Sequence, residues 1–431
     1  MSLSSSMSSS LSSTPSFQIE SYIQDWMKQN ENRKHRGVRE LFKFGLGRAP
    51  YFLKYTSDPS LSDTILIYPT VKSDLNDPIV QECNGLVLAT DTWKVTAAGM
   101  PTMRHCTLND FRNEMNRVDG VSTPAMEYAE DGTVLRVFYT NDRWYVSTNR
   151  RIDAHTATWA SQRSFYDLMN DAVNETLGNT TVLEQVFDKE LARNMVYSFV
   201  LTHPENYHVI HYPSAELILV SSRDMTTGVE VPITEANRVS FARLPTRPES
   251  VNDFLDNTVW DKCENKRGII FSDWRNPMCV RRWIADRPSF IGARMSRKNM
   301  PSMELSYLAN QTLEDQCAFR INFPSSCGMA DQFDKQIEYL ASDFQHIYRN
   351  SFILKKYFIS PDDELYRVLR SVHLHYRKTR EPIHLPHVVQ IVRQQHPVFL
   401  LHLLTRKESE GRLVIANPLP REQGTPPLAV A

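Results

Sequence analysis

The side chains best suited to binding a metal ion are four histidines near the C-terminal end of the chain. His373-x-His375 and His384-x-x-His387 bring four imidazoles into one short segment, and imidazole is a common zinc ligand. Residues i and i+2 of a helix point to opposite faces, however, and Pro386 interrupts the second pair. We therefore expect ordinary surface or core histidines, with a metal site as the alternative.

Short catalytic motifs of fixed spacing are absent: there is no phosphate loop, dinucleotide-binding glycine fingerprint, G-x-S-x-G or H-E-x-x-H. Two Asp-Gly turns remain, at Arg117-Val-Asp-Gly120 and Ala129-Glu-Asp-Gly132. Arginine stays protonated and is not a nucleophile, and Ser122-Thr-Pro124 indicates a loop after the first turn. We interpret the first as an ordinary turn and the second as the start of the most informative segment.

That second turn opens a predicted β-hairpin. The stretches 133–139 and 143–148 are rich in β-branched and aromatic residues, and Thr140-Asn-Asp142 supplies turn chemistry. The other predicted elements are a helix over 156–177, with Trp159, Phe165 and Leu168 buried, and strands at 195–201, 207–212, 216–221 and 268–271. Strands with few helices and no regular βαβ alternation favour an α+β fold with antiparallel sheets.

From Glu127 to Ala154 the sequence resembles the nucleotidyltransferase core of T-even phage-type RNA ligases and of ligase-like proteins in large DNA viruses. In that family a Lys-x-Asp-Gly motif begins a hairpin, and a Trp strand ending in Ser-Thr/Arg follows; here Asp131 and Gly132 are in place and Ala129 stands at the lysine position. The resemblance covers roughly residues 66–308. Its other motifs are 82–88 with 93–98, 197–206 with 208–212, 267–271, and 279–284 with 296–299.

The resemblance implies a DNA/RNA ligase-type nucleotidyltransferase domain with ATP-grasp-like antiparallel sheets, followed by an all-helical domain. In active members a lysine attacks the α-phosphate of ATP with Mg²⁺ present, and the adenylate passes to an RNA 5′-phosphate. The catalytic positions carried over are Ala129, Asp131 and Gly132; no metal ligand is assigned. The nucleotide- and phosphate-binding positions carried over are Asn84, Lys94, Arg150, Phe199, Arg281 and Arg282.

Several positions depart from the family pattern. They are Ala129 for the nucleophile, Asn84 for an arginine, Val200 for one acid and Lys266 or Arg267 for another. The fifth motif keeps Arg281 and Arg282 without a clean Lys-x-Lys. Several independent departures favour natural loss of adenylation, and a single Lys→Ala substitution in an already divergent ligase is the alternative.

Basic side chains survive better than catalytic ones. Between residues 281 and 298, six cations accompany one acid, Asp286, with Trp283 and Phe290 interleaved. Besides Arg281 and Arg282, these cations are the RNA-binding candidates Arg287, Arg294, Arg297 and Lys298. Cations with aromatic rings suit single-stranded RNA, although a solvated strand and loop with core aromatics explains the pattern equally well. A second basic stretch at 33–54 is expected to be a solvated face, with a phosphate-facing ridge as the alternative.

Composition limits the class of protein. The 431 residues carry 49 Lys+Arg and 50 Asp+Glu, which argues against binding of nucleic acid through bulk charge. Six separated cysteines without a C-x-x-C pair favour a reducing compartment, and no apolar run of about 18 residues predicts a membrane span. We expect a cytoplasmic protein or, if viral, one in the host cytoplasm or virion; the oligomeric state is left open.

The predicted domains are a disordered serine-rich tail (1–16), the ligase-like domain (17–300), a helical domain (301–406) and a flexible tail (407–431). In the helical part an apolar stripe runs from Phe333 to Ile347, and Ser360-Pro-Asp-Asp363 predicts a helix start. The segment 387–404 is predicted to be helical with a kink or break at Pro397.

The function hypothesis is therefore an RNA-ligase-family protein related to ATP-dependent RNA end joining and repair, inactive in lysyl-adenylate formation. Its cofactors would be ATP and Mg²⁺ if active, and its partner would be RNA, as single strands or 5′-phosphate ends. The alternative is a non-enzymatic RNA-end-binding or structural protein that uses the degenerate ligase groove.

Overall fold

A computed structural model describes residues 17–31, 37–107, 109–110, 113, 125–206, 208–248, 260, 265–410 and 419–420. The chain divides into two compact units, Met1–Phe290 (the first unit) and Ile291–Ala431 (the second unit). The predicted N-terminal tail, the turn at 117–120 and most of the predicted C-terminal tail lie outside the described residues.

The N-terminal part of the first unit is a four-stranded antiparallel sheet packed on short helices. Its strands are β1 (Lys54–Thr56), β2 (Thr64–Tyr68), β3 (Leu86–Ala89) and β4 (Val95–Ala97), in the order β1-β2-β3-β4. Its helices are α1 (Gln18–Gln29), α2 (Val38–Leu41), which continues into a π-helical turn at Phe42–Leu46, and α3 (Pro78–Glu82). Ile19 and Ile23 of α1 pack with Leu86 and Leu88 in one buried cluster. The motif segments 82–88 and 93–98 contribute to β3 and β4, which pair with each other.

A five-stranded antiparallel sheet forms the centre of the first unit, in the order β11-β10-β9-β7-β8. Its strands are β7 (Thr133–Thr140), β8 (Arg143–Ser147), β9 (Met195–Thr202), β10 (Glu216–Asp224) and β11 (Glu230–Val231). One face packs on α4 (Phe165–Leu177) and α5 (Leu183–Glu190), where Leu135, Phe199 and Leu217 are fully or almost fully buried. The predicted hairpin and the strands predicted at 195 and 216 are confirmed.

Two predictions in this region are wrong. The strand predicted at 207–212 is absent from described residues 208–212, because the backbone amides of Val209 and Ile210 donate to the Asp131 carboxylate rather than to a strand. The helix predicted from residue 156 begins at Phe165, because Ser164 and Asp167 form a capping box there.

A third sheet completes the first unit. Its strands are β5 (Arg104–His105), β6 (Ala125–Ala129), β12 (Gly268–Asp273) and β13 (Arg281–Asp286), in the order β5-β13-β12-β6. β6, β12 and β13 are antiparallel, and the short β5 lies parallel to β13. The strand predicted at 268–271 and the predicted α+β class are confirmed by these sheets.

Short 3-10 turns occur at Pro59–Leu61, Ala154–Thr156, Pro204–Asn206, Glu235–Asn237 and Pro324–Ser326.

The second unit is predominantly helical. Its helices are α6 (Pro288–Arg297, which starts at the unit boundary), α7 (Met303–Ala309), α8 (Leu313–Asn322), α9 (Cys327–Tyr348), α10 (Tyr366–Thr379), α11 (Leu385–Arg393) and α12 (Pro397–Glu410). A π-helical turn, Arg349–Ile353, extends α9, and β14 (Tyr357–Phe358) pairs with β15 (Leu419–Pro420).

The helical predictions are partly confirmed. Ile337, Leu340, Phe344 and Ile347 of the predicted stripe are buried on α9. The break at Pro397 is confirmed, because α11 ends at Arg393 and α12 begins at Pro397. The helix start predicted at Ser360 is wrong: residues 361–365 form turns, and α10 begins at Tyr366. The last helix also continues past 406. No helix within the described ranges has both the length and the apolar character needed to cross a membrane.

Candidate functional site

The predicted nucleophile position lies at the end of β6. Ala129 pairs with Gly268 of β12, and its carbonyl oxygen accepts a hydrogen bond from the Arg267 amide at 2.9 Å. Only 1% of Ala129 is exposed, so neighbouring strands hold this position in place. The position that the resemblance predicts for the nucleophile therefore carries a buried methyl group.

The Asp131 carboxylate is occupied by backbone amides. Its Oδ2 accepts hydrogen bonds from the amides of Val209 at 2.7 Å and Ile210 at 2.9 Å, and its own amide donates to the Tyr212 hydroxyl at 2.9 Å. The next residue, Gly132, runs so close to β9 that a Cβ atom there would overlap the Leu201 carbonyl oxygen. Asp131 and Gly132 thus fix the turn against the loop after β9.

Glu130, between the predicted site residues, is the centre of an ion-pair cluster. Its Oε1 accepts from Lys266 Nζ at 2.6 Å and from Arg243 Nη2 at 2.8 Å, and its Oε2 accepts from the Tyr212 hydroxyl at 3.3 Å. Arg243 also reaches Glu216, with Nε 2.7 Å from Oε2. Burial raises the pKa of Tyr212, so the phenol remains a donor at neutral pH. The carboxylate beside Ala129 is therefore already compensated by protein cations.

A buried guanidinium lies beside Asn84. Arg136 of β7 is 1% exposed and donates to the Asn84 carbonyl, to Asn149 Oδ1 and, at 3.1 Å, to the Thr148 carbonyl. Burial lowers the pKa of Arg136 to about 10. The Asn84 side chain instead donates to the Met100 carbonyl at 3.0 Å. At the position where the resemblance expects an arginine, a guanidinium is thus present, but β7 supplies it.

Gly85 and Gly99 make room for that guanidinium. A Cβ atom at either position would overlap the Arg136 side chain, and Gly85 has a positive φ of 70°. None of the hydrogen-bond partners described for Arg136 is a carboxylate. Arg136 Nε and the neighbouring Ser198 Oγ are buried without a hydrogen-bond partner. The sheet interior here holds a cation that only backbone carbonyls and one amide oxygen solvate.

A second buried cluster joins β10, β11 and β13. Glu230 is 0% exposed and accepts hydrogen bonds from Arg282 Nη1 at 3.2 Å, Arg223 Nη2 at 3.3 Å and Ser221 Oγ at 2.6 Å. The side chains of Arg282 and Arg223 are 3% and 2% exposed. Burial lowers the pKa of Arg223. Arg282, a predicted phosphate ligand, is therefore an internal partner of Glu230.

Arg281, the neighbouring predicted ligand, points to the surface. Its side chain is 45% exposed, and Nη2 lies 2.8 Å from Asp273 Oδ2. Arg275 contacts the same carboxylate through Nε at 2.9 Å and Nη2 at 2.7 Å. These hydrogen bonds, chiefly the one from Arg275, hold the pKa of Asp273 at about 2. Two guanidinium groups thus share one acid, which leaves this edge of β13 with an excess of positive charge.

The other predicted nucleotide ligands are dispersed. Lys94 Nζ lies 3.1 Å from Glu20 Oε2, an ion pair that ties the β3–β4 hairpin to α1. Arg150 is exposed, with its guanidinium 5.8 Å from the centre of the Tyr68 ring. Phe199 is 0% exposed in the core that packs on α4 and α5. Its assignment as a nucleotide ligand is therefore wrong, because that face of β9 is covered by helices.

The four RNA-binding candidates have different environments. Arg297 is buried and donates to the Ser302 carbonyl at 2.6 Å and to the Ser306 hydroxyl, so it holds the start of α7 and is not available to RNA. Lys298 pairs with Asp315 at 3.2 Å, Arg287 is half-buried and Arg294 is exposed. Of these four, Arg294 and Lys298 are exposed.

Metal-binding side chains do not gather in the part of the chain that the structure describes: no group of three or more His, Cys, Asp or Glu residues has the spacing of a metal site. His375 and His387 have ring centres 5.0 Å apart, and His384 lies 5.9 Å from His387. These rings pack against one another at the junction of α10 and α11.

Comparison with known sequences finds similar viral proteins, whereas no protein-family model matches the chain. An immediate-early protein ICP-46 homolog of Invertebrate iridescent virus 3 is 25% identical over 139 residues, 32% of this chain and 28% of that protein. A protein named as a candidate RNA ligase in African swine fever virus is 24% identical over 147 residues, 30% and 31% of the two chains. The chain is therefore similar to a candidate viral RNA ligase.

A longer alignment includes a second iridescent virus. The ICP-46 homolog of Invertebrate iridescent virus 6 is 20% identical over 274 residues, 59% of this chain and 58% of that protein. The chain thus spans less than a third of the first two relatives and just over half of this one.

Solved structures give a more distant likeness. An archaeal ATP-dependent RNA ligase covers 70% of this chain and 73% of its own length, at a TM-score of 0.40 and 11% identity. A mutant RNA ligase of Naegleria gruberi, solved with ATP and Mn, covers 43% and 58%, at a TM-score of 0.30 and 12% identity. Likeness at this level does not extend to individual site residues.

The structure brings together only part of the predicted site. Ala129, Asp131 and Gly132 share one turn, and Asn84 contacts Arg136, whereas Lys94 and Phe199 lie elsewhere. Sequence reasoning missed the roles of Glu130, Arg136, Arg223 and Glu230. An available signal was the charge in Thr133-Val-Leu-Arg-Val-Phe-Tyr139, because a single arginine inside an apolar strand is rarely buried without dedicated partners.

Proposed function

We propose that this chain is an RNA-ligase-like protein that does not form a lysyl-adenylate and retains RNA as its partner. One observation carries the proposal: the position that the resemblance assigns to the nucleophile, at the end of β6, is a buried alanine, and the two carboxylates that follow it accept hydrogen bonds from protein groups. The viral relatives favour a ligase-like origin, and we place the protein in the host cytoplasm or virion.

The geometry disfavours the first chemical step. Adenylyl transfer needs an amine nucleophile, and a metal ion to neutralise charge on the phosphates. Glu130 already faces Lys266 and Arg243, while Asp131 accepts two amide hydrogen bonds. A magnesium ion that bound here would compete with these partners for Glu130 Oε1 and Asp131 Oδ2. ATP and Mg²⁺ are thus cofactors of the proposed active ancestor, and we expect no covalent AMP on this chain.

Lys266 is the amine to examine as a substitute nucleophile. Its Nζ lies 2.6 Å from Glu130, the residue after Ala129, and its side chain is 24% exposed. The Glu130 carboxylate engages this amine, and we expect it to stay in that ion pair rather than attack a phosphate.

The test is an adenylation assay on the whole chain with labelled ATP and Mg²⁺, followed by denaturing electrophoresis and peptide mapping. We expect no label on the wild-type chain, and a covalent AMP on wild type, at Lys266 or elsewhere, would refute the proposal. Ala129→Lys asks whether the rest of the site still works, and Ala125→Lys, at the other end of β6, controls for an added lysine. Labelling of the first variant alone would indicate loss at a single position.

A second candidate function is non-enzymatic binding of RNA ends. It is favoured by the exposed cations Arg150, Arg281 and Arg294, which are present although the predicted nucleophile position is an alanine. Phosphate contacts of this kind give affinity that falls as salt rises.

This function is tested by comparing RNA with a 5′-phosphate and a 5′-hydroxyl over a range of salt. We expect Arg281→Ala to weaken the 5′-phosphate preference and the salt dependence. Arg238→Ala, which removes another exposed arginine, one paired with Glu235, should leave both unchanged. Equal binding by wild type and Arg281→Ala would count against an RNA-end site on β13.

A further inference from the structure

The second unit contains a cavity that lies outside the proposed ligase-like cleft. Its volume is about 630 Å³, and its wall is formed by α9, the π-helical turn after it, α10 and the segment before α11. We propose that this cavity binds an unstacked base of single-stranded RNA, with Arg349 holding the adjoining phosphate. This cavity would be a second RNA contact, besides the exposed arginines of the first unit. The inference rests on the proposed function only for the identity of the nucleic acid as RNA.

Four rings form one side of the cavity. Phe352 stacks on His373 with ring centres 4.9 Å apart and planes inclined by 28°, and it stacks on Tyr348 at 5.1 Å and 20°. The Tyr376 ring lies 6.3 Å from His373 and is 38% exposed at the surface. Tyr348 is 3% exposed and its hydroxyl lies 3.3 Å from His373 Nδ1, which fixes both rings. The cavity thus has a rigid aromatic wall that ends at solvent, and such a wall provides a stacking surface for a nucleobase.

The charge of the cavity matches a phosphate-bearing ligand. Among its described lining residues the charged or titratable groups other than tyrosine are His346, Arg349 and His373, and none is acidic. Arg349 is exposed, and within the described structure its guanidinium has no ion-pair partner. Burial, together with the charge of Arg377, lowers the pKa of His373, so that imidazole serves as a neutral ring.

One helix of the cavity wall carries the same sign of charge. Over its whole length, Tyr366–Thr379, helix α10 carries four Arg or Lys residues and no Asp or Glu. An acidic protein segment would lack the groups that stack on this wall, and a purely apolar segment would lack the negative charge. A single strand of RNA supplies both, because each base has an aromatic face and each linkage carries a negative charge.

Polar side chains also line the cavity. Gln345 Nε2 donates to the Ile383 carbonyl at 3.0 Å, and this bond links α9 to the 382–383 segment of the lining. Ser342 is a further polar lining residue. A base that stacks on the rings would find hydrogen-bonding groups within the same cavity.

The experiment uses the full chain and a fluorescent decauridine with a 5′-hydroxyl, which removes any contribution from a 5′-phosphate site. We expect Phe352→Leu, which keeps apolar packing but loses the stacking face, to weaken binding about tenfold. Arg349→Gln, at an exposed position where folding is not at risk, should weaken it by several fold. The matched control Arg370→Gln removes an exposed arginine from α10 outside the cavity lining and should stay within twofold of wild type.

Photocrosslinking with 4-thiouridine in the same oligonucleotide locates the contact, and we expect crosslinked peptides within 342–383. The inference is overturned if Arg349→Gln and Phe352→Leu both bind like wild type, or if crosslinks map only to the first unit. Failure of the proposed function looks different: Arg281→Ala would leave 5′-phosphate binding unchanged while the effects of the cavity variants on the 5′-hydroxyl probe persist.

Discussion

Glu230→Gln should strongly destabilise the first unit. Gln has nearly the same shape as Glu but no charge, so the variant leaves Arg223 and Arg282 buried, 2% and 3% exposed, without a counter-charge. Removing one partner of a buried ion pair costs about 3–5 kcal/mol, because the remaining charge stays out of water. At about 2–4 °C per kcal/mol for a unit of this size, the melting temperature should fall by about 6–20 °C.

Tryptophan fluorescence is a suitable measurement, because all seven tryptophans of the chain lie before residue 291 and report the first unit alone. Glu216→Gln is the matched control: its carboxylate pairs with Arg243 at 2.7 Å but is 43% exposed, so the change should cost about 1 kcal/mol or less. If Glu230→Gln lowers the melting temperature no more than Glu216→Gln does, the buried cluster is not a stabilising centre.

The burial of Arg282 determines which arginine variants can test RNA binding. Arg282→Ala would remove one of the two guanidinium partners of the buried Glu230 carboxylate, so lost binding in that variant would report unfolding. Arg281 is 45% exposed and can be changed without this penalty. Binding assays on Arg281→Ala are therefore informative, whereas a double variant with Arg282→Ala is not.

Two further predictions concern the turn after β6 and the edge of β13. Gly132→Ala should destabilise the protein by about 1–3 kcal/mol, because the new Cβ overlaps the Leu201 carbonyl. In the control Gly328→Ala the new Cβ meets no atom within 4 Å, so stability should change by less than about 1 kcal/mol. Urea unfolding followed by circular dichroism compares the two variants, and equal effects would contradict the close approach of Gly132 to Leu201. Because the pKa of Asp273 is depressed to about 2, the carboxylate contributes its full stabilisation above the unfolded pKa of about 3.9 and loses it as pH falls through 2. Asp273→Asn should therefore be less stable than wild type at pH 7, and the difference in stability should shrink towards pH 2. A difference that does not depend on pH would contradict this prediction.

Local sequence signals located the strands well. The hairpin 133–147 follows from runs of β-branched and aromatic residues and an Asn-Asp turn, and both signals act over a few residues. The break before Pro397 likewise follows from the missing amide of proline. The helix at 360 failed because Asp363 Oδ1 accepts the amide of Leu365 at 2.8 Å and stabilises a separate turn there.

The site was harder to predict because its contacts join residues that are far apart in sequence. Glu130 meets Lys266 only when β6 pairs with β12, and Arg282 meets Glu230 only when β13 lies beside β11. A motif comparison treats Arg282 as a phosphate ligand since its neighbours in sequence match, but burial and a carboxylate partner are properties of the folded chain. Phe199 shows the same limit, because the face of β9 that a residue occupies depends on where the helices pack.

The positive charges of the first unit fall into two groups with different prospects for binding RNA. Arg136 and Arg282 are almost completely buried, and their Nη donors already contact carbonyl, amide or carboxylate oxygens, so a phosphate gains contact with those donors only by displacing their partners. Arg150 and Arg281 are exposed, and their donors can exchange water for phosphate oxygens. Affinity for RNA in this unit should therefore reside at the exposed arginines rather than at the buried ones. Phosphate contacts at exposed arginines require no nucleophile, so the RNA binding that we propose is compatible with the absence of adenylation that we propose.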